Sequence, residues 1–405
     1  MAYDLLDGVK VVELSMYAFA PSCAAVLADW GADVIKIVPP GTADPLYSKT
    51  CIGGLPKIDV PVSFMWEQLN RGKRCICIDV AKPDGHALLL EVLKTADVFI
   101  TNLLPDARKR FGLDPDVIQA INPSIVYARA SGHGDKGPER EAGGFDHTDF
   151  WARTGIAHAA SMAVGEFVPQ AGPAIGDVSS GAFMAGGIAA ALFRRERTGK
   201  GAVVDVSLLS SGVWAFAPAV IASQLYDVPT IPRLGHFDQP NPMVAAYRTR
   251  DERQIYLSGI LTEKGFDSFV EIVGHPELLT DPRFETGAAR LANARECIGV
   301  LDSIFAERDL AEWVERLRAW KAPWAVIQSA ADAANDPQTV ANGYVIPLEA
   351  DGRPYTVVAS PAQFDGVAPS AERAPTHGEH TELVLMELGV EWDEIERLKG
   401  AGVIN

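Results

Sequence analysis

The chain has 405 residues, 48% hydrophobic and 22% charged, a balance that fits a soluble globular protein of one or two domains. Its 36 basic and 53 acidic residues give a net charge of −17, which argues against nucleic acid or an anionic membrane as partner. An anionic ligand would need a locally basic pocket.

The opening MAYDLLDGVKVVEL has no basic n-region and no uninterrupted apolar stretch, so no signal peptide is expected. The most apolar later run, 213–222, is too short to span a bilayer and contains Pro218. Cys23, Cys51, Cys75, Cys77 and Cys297 lack C-x-x-C spacing and read as free thiols of a cytoplasmic protein. With no H-E-x-x-H among the eight histidines, no metal site is expected.

Val9–Leu14 reads as a buried strand. The loop 15–20 leads to Pro21, suited to the first turn of a helix reaching about Trp30. Gly31 ends that helix and 32–38 reads as a second strand, so the unit is βαβ with a right-handed crossover. It lacks G-x-G-x-x-G, which weakens a nicotinamide-dehydrogenase reading. Residues 41–70 form a Gly/Pro-rich excursion, followed by the basic run Asn70–Arg74 and a strand over 75–80. Helices are expected at 83–95 and 114–122, and strands at 97–101 and 125–130. The alternation predicts an α/β fold with a parallel, Rossmann-like sheet. Ligands of such sheets sit beyond the carboxyl ends of the strands, which here are 15–19, 102–104 and 130–132.

Farther on, a small-residue helix begins near Asp177, a strand covers 202–208, and an apolar helix runs to about Leu225. A hairpin over 247–260 and helices near 262–273, 287–306 and 309–321 suggest a smaller α+β module. Strands return at 344–348 and 355–359, and helices at 379–388 and 392–399 close the chain. The expected organisation is a large domain of 1–228 completed by 329–405, with a small domain of 229–328 between.

Asp177 follows Gly176 and precedes Ser179, Ser180 and Gly181, so little bulk surrounds it. It reads either as a helix N-cap, accepting first-turn N–H groups, or as a carboxylate open to substrate.

Seven stretches resemble the class III CoA transferases (the CaiB/BaiF family, which includes the α-methylacyl-CoA racemases): LLDGVKVVELS, APSCAAVLADWGADVIKI, NRGKRCICID, ADVFITNLLPDARKRFGLD, PAIGD, RRERTGKGAVVDVSLLSS and HGEHTELVLMELG. The resemblance implies a homodimer of interlocked chains, each with a Rossmann-like large domain built from both chain ends and a small inserted domain. It implies transfer of CoA from an acyl-CoA to a carboxylic acid, with Asp177 forming an aspartyl anhydride and then an aspartyl-CoA thioester. No cofactor is implied; CoA is carried in as the substrate's thioester. For CoA the resemblance points to Tyr17, Ala18, Phe19, Asn102, Leu103, Ala107 and Arg110. Arg71 and Lys73, with Lys36 and Arg74, are further candidates for its phosphates. Val38 stands where the family often has an acidic residue, and Ala18 where some transferases have a Gln. The family's glycine-rich lid matches 235–240, which has a single glycine here.

The racemases use a His with the Asp as two bases. Their His aligns here with Phe145 or Asp146, with His147 one residue along, so the match fails and the F-W-A-R-x-G run looks more like transferases for branched or aromatic acids. Phe145, Phe150, Trp151 and Met162 could line an acyl pocket. A racemase or a non-catalytic CoA-binding protein remains the alternative.

Overall fold

The computed structural model describes residues 3–48, 55–56, 58–162, 164–259 and 263–405, the side chains of 263 and 264 excepted. The expectations for Cys51 and for the end of the hairpin at Ile260 lie outside the described residues. The chain forms two compact units: Met1–Ser161 with Phe167–Ile231 and Pro337–Asn405, and Pro232–Asp336 with Met162–Glu166.

The first unit is built on six parallel strands: β1 (Lys10–Leu14), β2 (Asp33–Val38), β3 (Arg74–Cys77), β4 (Val98–Thr101), β5 (Val126–Ser131) and β6 (Ala202–Ser207). Their order is β3-β2-β1-β4-β5-β6, so the direction of winding reverses between β1 and β4. Alternate side chains go to opposite faces. Val11, Val34, Val98 and Val126 pack under α1 (Phe19–Asp29), while Val12, Ile35, Phe99 and Tyr127 face the other layer. That layer includes α3 (Pro83–Lys94) and α5 (Pro115–Ile121). The closing helices Thr381–Glu387 and Trp392–Gly400 supply Val384, Leu385, Ile395 and Leu398 to the same core, so the chain ends complete one domain.

Sequence reasoning missed α2 (Phe64–Asn70), hidden in the Gly/Pro-rich excursion and capped by Ser63, and α4 (Pro105–Arg110), one short turn after β4. A π-helical turn, Asp146–Ala152, and α6 (Ile156–Met162) fill the connection from β5 to α7 (Ile175–Thr198). α7 is long and apolar enough to cross a bilayer, yet its Met184, Ala185, Ile188 and Leu192 are buried in the core against α1 and the sheet. The apolar segment after β6 breaks at Phe216 into α8 (Leu208–Ala215) and α9 (Ala217–Tyr226), because Pro218 cannot continue a helix ladder.

In the second unit, antiparallel strands β7 (Ala246–Arg248), β8 (Gln254–Leu257) and β9 (Trp324–Val326) pack on helices Glu263–Val273, Ala294–Phe305 and Leu310–Leu317. The expected helix at 287–306 is two helices, with Asn293 between them. Residues 236–238 make a single short turn.

Candidate active site

The reversal of strand order leaves a crevice at the carboxyl ends of β1 and β4, the place where open α/β sheets hold ligands. A cleft of about 370 Å³ opens there, lined by Met16, Tyr17 and Phe19 from the first loop and Asn102, Leu103, Leu104 and Ala107 after β4. Ala130 and Ser131 at the end of β5 with Gly132 just after it, Gly143, Gly144 and Phe145 from the long connection, Leu208 and Asp177 complete its wall.

The first loop is held from several sides. Asn102 bridges the reversal by donating to the Met16 carbonyl at 2.7 Å and accepting the Met16 N–H at 3.2 Å. Tyr17 adopts a left-handed conformation, φ 66°, unusual for a residue with a Cβ, and its N–H donates to Asp44 at 3.2 Å. Beneath it lies a cluster of four charges. Lys36 Nζ meets Glu13 at 2.8 Å, Asp44 at 3.7 Å and the Ser15 carbonyl at 3.0 Å. Lys73 Nζ meets Glu13 at 2.7 Å and the Pro21 carbonyl at 2.9 Å. Glu13, Lys36 and Lys73 are all buried, and Glu13 and Lys36 are register partners on β1 and β2. Burial alone would push the Glu13 carboxyl up, but the two lysines outweigh it and bring it down to about 2.

The far wall is a place of close backbone approach. A Cβ on Gly144 would lie 2.1 Å from Asp149 Oδ2 and 2.8 Å from the Gly132 Cα. Asp149, buried, is met by His133 Nδ1 at 2.5 Å and accepts from Thr148 at 2.8 Å and from the Phe145 N–H at 3.1 Å. Phe145, 56% exposed, stands edge-on to Tyr17 with ring centroids 5.4 Å apart.

Asp177 sits in the first turn of α7 and corrects the N-cap reading. The N-cap residue is Ala174, left-handed at φ 61° and without a side-chain cap. The capping carboxylate comes from another segment: buried Asp146 accepts the Gly176 N–H at 3.0 Å and faces the Asp177 N–H, with Gln170 Nε2 donating to its other oxygen at 2.8 Å. Gly176 must be glycine for this, since a Cβ there would lie 2.2 Å from Asp146 Oδ1. With these N–H groups occupied, the Asp177 carboxylate is left without a donor among the described residues, and its own carbonyl accepts from Ser22 at 3.2 Å. Burial, reinforced by the negative charge of Asp146, pushes Asp177 up to about 7.

The cleft thus brings together Asp177, Tyr17, Phe19, Asn102, Leu103 and Ala107 of the sequence-selected residues. It does not include the others. Ala18 is buried with Met65, Leu69 and Ala174. Arg71 forks onto Asp29 at 3.0 and 2.7 Å, and Lys73 and Lys36 are spent on the buried cluster, so these cations are placed as interior ion pairs rather than free phosphate binders. Arg74 is likewise paired, with Asp33 and Glu387 at 2.6 Å each. Arg110 is exposed, stacked over Phe111 at 4.7 Å, in a separate depression with Lys82, His86 and Lys109. Among the proposed acyl-pocket residues only Phe145 lines the cleft: Phe150 belongs to the core, the Trp151 indole donates to the Val168 carbonyl at 3.2 Å, and Met162 is exposed. His147 is exposed and Asp146 lies beneath α7, so neither lines the cleft.

Gly143, Gly144 and Leu208 were not singled out beforehand as lining residues. The Gly143-Gly144 pair just before the aromatic turn was the available signal, a chain segment free of side chains where backbone can come close.

Residues 6–381 match the model of CoA-transferase family III. The chain is similar to (R)-2-hydroxy-4-methylpentanoate CoA-transferase of Clostridioides difficile, 31% identical with 99% of each chain covered. It is also similar to cinnamoyl-CoA:phenyllactate CoA-transferase of Clostridium sporogenes, 29% identical over 98% of this chain and 96% of the other. Among solved structures it resembles a CAIB/BAIF family protein from Brucella suis, with TM-score 0.81, 28% identity and 95% and 99% of the two chains covered.

Proposed function

The chain belongs to CoA-transferase family III, a family of CoA-transferases, and from that premise we propose that it moves CoA from an acyl-CoA to a free carboxylic acid with Asp177 as the nucleophile. The observation that carries this reading is the carboxylate at the cleft: among the described residues Asp177 is the one acid in the lining, and its oxygens are left free by the cap that Asp146 supplies. A carboxylate so placed attacks a thioester carbonyl carbon as an ion. The C–S bond breaks, CoA leaves as a thiolate, and a mixed anhydride joins the acyl group to Asp177. The thiolate then attacks the Asp177 carbonyl carbon, releasing the donor acid and leaving an aspartyl-CoA thioester. The incoming carboxylate attacks that thioester, and the returning thiolate takes the new acyl group from the second anhydride, restoring Asp177 as a carboxylate. Every step exchanges one acyl bond for another, so no redox group or external proton source is consumed.

Apolar Met16, Phe19, Leu103, Leu104 and Phe145 around the cleft support a branched or aromatic acid as the substrate class. The two relatives named above act, by their names, on a branched 2-hydroxy acid and on phenyllactate. For CoA itself the candidate contacts are Tyr17, Phe19, Asn102, Leu103 and Ala107, whereas Arg110 lines a separate depression outside the cleft. A two-base racemase would need a second proton carrier at the reacting carbon, and among the described residues only Tyr17 joins Asp177 as a titratable lining side chain.

The test is capture. With a turning-over acyl-CoA, hydroxylamine should convert Asp177 to a hydroxamate, located by peptide mass spectrometry. Deuterium washing into the α-carbon without any capture would favour the racemase, and neither outcome would leave a non-catalytic binder.

We also propose a homodimer, interlocked as the family resemblance implies. Its support in this chain is an apolar outer surface on α7–α9, where Phe193 (65%), Trp214 (72%) and Leu225 (76%) are exposed. Sedimentation should give twice the chain mass with no dissociation on dilution to nanomolar concentration; a monomer under those conditions refutes it.

A further inference from the structure

We infer that Asp146 is a positioning residue whose buried carboxylate, seated with Gln170 under the α7 N-terminus, sets the balance between free Asp177 and its covalent aspartyl intermediates. The inference rests on Asp177 being the nucleophile. Asp146 is 3% exposed and takes the helix N–H groups that would otherwise stabilise a negative charge at Asp177. The nucleophile therefore has a like charge where a first-turn carboxylate normally has partial positive charge.

Acylation and protonation have the same electrostatic effect on Asp177, because each turns an anion into a neutral group. Whatever Asp146 does to disfavour the anion therefore favours the anhydride and the thioester equally. The surroundings of Asp177 carry little that would cancel this. Across the cleft stands Tyr17, and α1 offers Phe19 and Ser22, neither an ionisable acid or base. His147, exposed and next to Asp146 in the chain, is a group able to oppose the Asp146 charge. A basic carboxylate is also the stronger nucleophile toward the thioester. The arrangement raises the attacking group and lowers the covalent states relative to it, without Asp146 touching substrate.

Asp146→Asn is the test. The Asn carbonyl can keep the Gly176 N–H, and Gln170, whose Oε1 is buried without a donor, can turn its amide to accept from the new NH₂. The acid limb of kcat/KM against pH should move down by about one unit, and the steady-state fraction of acylated Asp177 should fall about tenfold. Asp146→Glu, which keeps the charge, should restore both. As a measurement on the unaltered protein, carboxyl ¹³C NMR should find the Asp146 resonance moving in step with the ionisation of Asp177 near pH 7, a step that acylation of Asp177 abolishes because the neighbouring charge no longer forms. An Asp146→Asn enzyme that loses activity equally at every pH, with limb and acylated fraction unmoved, overturns the inference, as does an Asp146 resonance in the free enzyme that shows no step as Asp177 ionises. Hydroxylamine capture at Asp177 in the wild type keeps the two ideas apart: without it the nucleophile assignment fails, and with it only the role of Asp146 is at issue.

Discussion

Asp177→Asn is expected to lower kcat/KM for CoA transfer by about 10⁴-fold or more, because an amide cannot form either covalent intermediate. KM for the acyl-CoA should change by less than about threefold, since the remaining lining side chains still bind it. The same variant carries a second signature. Folding raises the Asp177 pKa from 3.8 to about 7, so the folded protein holds the proton more tightly and loses stability as pH climbs through that interval. Above it, the charged carboxylate costs its full amount, while near pH 4 it costs almost nothing. Asp177→Asn should therefore melt about 2 °C higher than the wild type at pH 8 and at nearly the same temperature at pH 4. Activity loss together with a uniform fall in Tm would instead mark a damaged fold.

Glu13→Gln is the second large effect, and it falls on stability. Glu13 is fully buried between Lys36 and Lys73, and a neutral amide leaves two interior ammonium groups with one carboxylate, Asp44, at 3.7 Å from Lys36. Breaking a buried ion pair from one side costs about 3–5 kcal/mol, read from urea midpoints at pH 7. The sign with pH follows from the depressed pKa. Glu13 contributes fully above its ordinary value of 4.5 and loses that contribution as pH falls toward 2, so the gap between variant and wild type should close in acid. A constant gap from pH 7 to pH 3 would show that packing, not charge, is what the variant removes.

The sheet was legible because its signals are local. Apolar runs such as Val11-Val12 and Phe99-Ile100, in segments that close on the polar loop residues Ser15 and Asn102, identify buried strands without knowledge of their neighbours. The Asp177 position was legible for a similar reason, its small neighbours being adjacent in sequence. Its capping partner was not. Asp146 lies thirty residues before Gly176 and meets it only through the fold. The basic run Arg71–Arg74 failed as a phosphate signal for the same reason: Asp29 and Glu13, the carboxylates that absorb Arg71 and Lys73, are 42 and 60 residues away. Charge is visible in a sequence, but whether it is already neutralised is a tertiary fact. Helix α2 was hidden because surrounding glycines and prolines outweighed one Ser-capped turn, whereas in the structure Trp66 and Leu69 are buried and Trp66 donates to the Pro375 carbonyl at 2.8 Å.

Gly181 marks the place where α7 crosses α1 so closely that a Cβ would lie 1.9 Å from Ser22 Oγ and 2.8 Å from the Cys23 N. Ser22 in turn donates to the Asp177 carbonyl, one helix start away. The consequence is mechanical. Helix α7, which carries Asp177, and α1, which follows the first loop, form a single stiff joint, locked by the close approach of their backbones at Gly181 and by the buried Ser22 hydroxyl. The position of the Asp177 carboxylate relative to the first loop is then a fixed gauge cut into the scaffold.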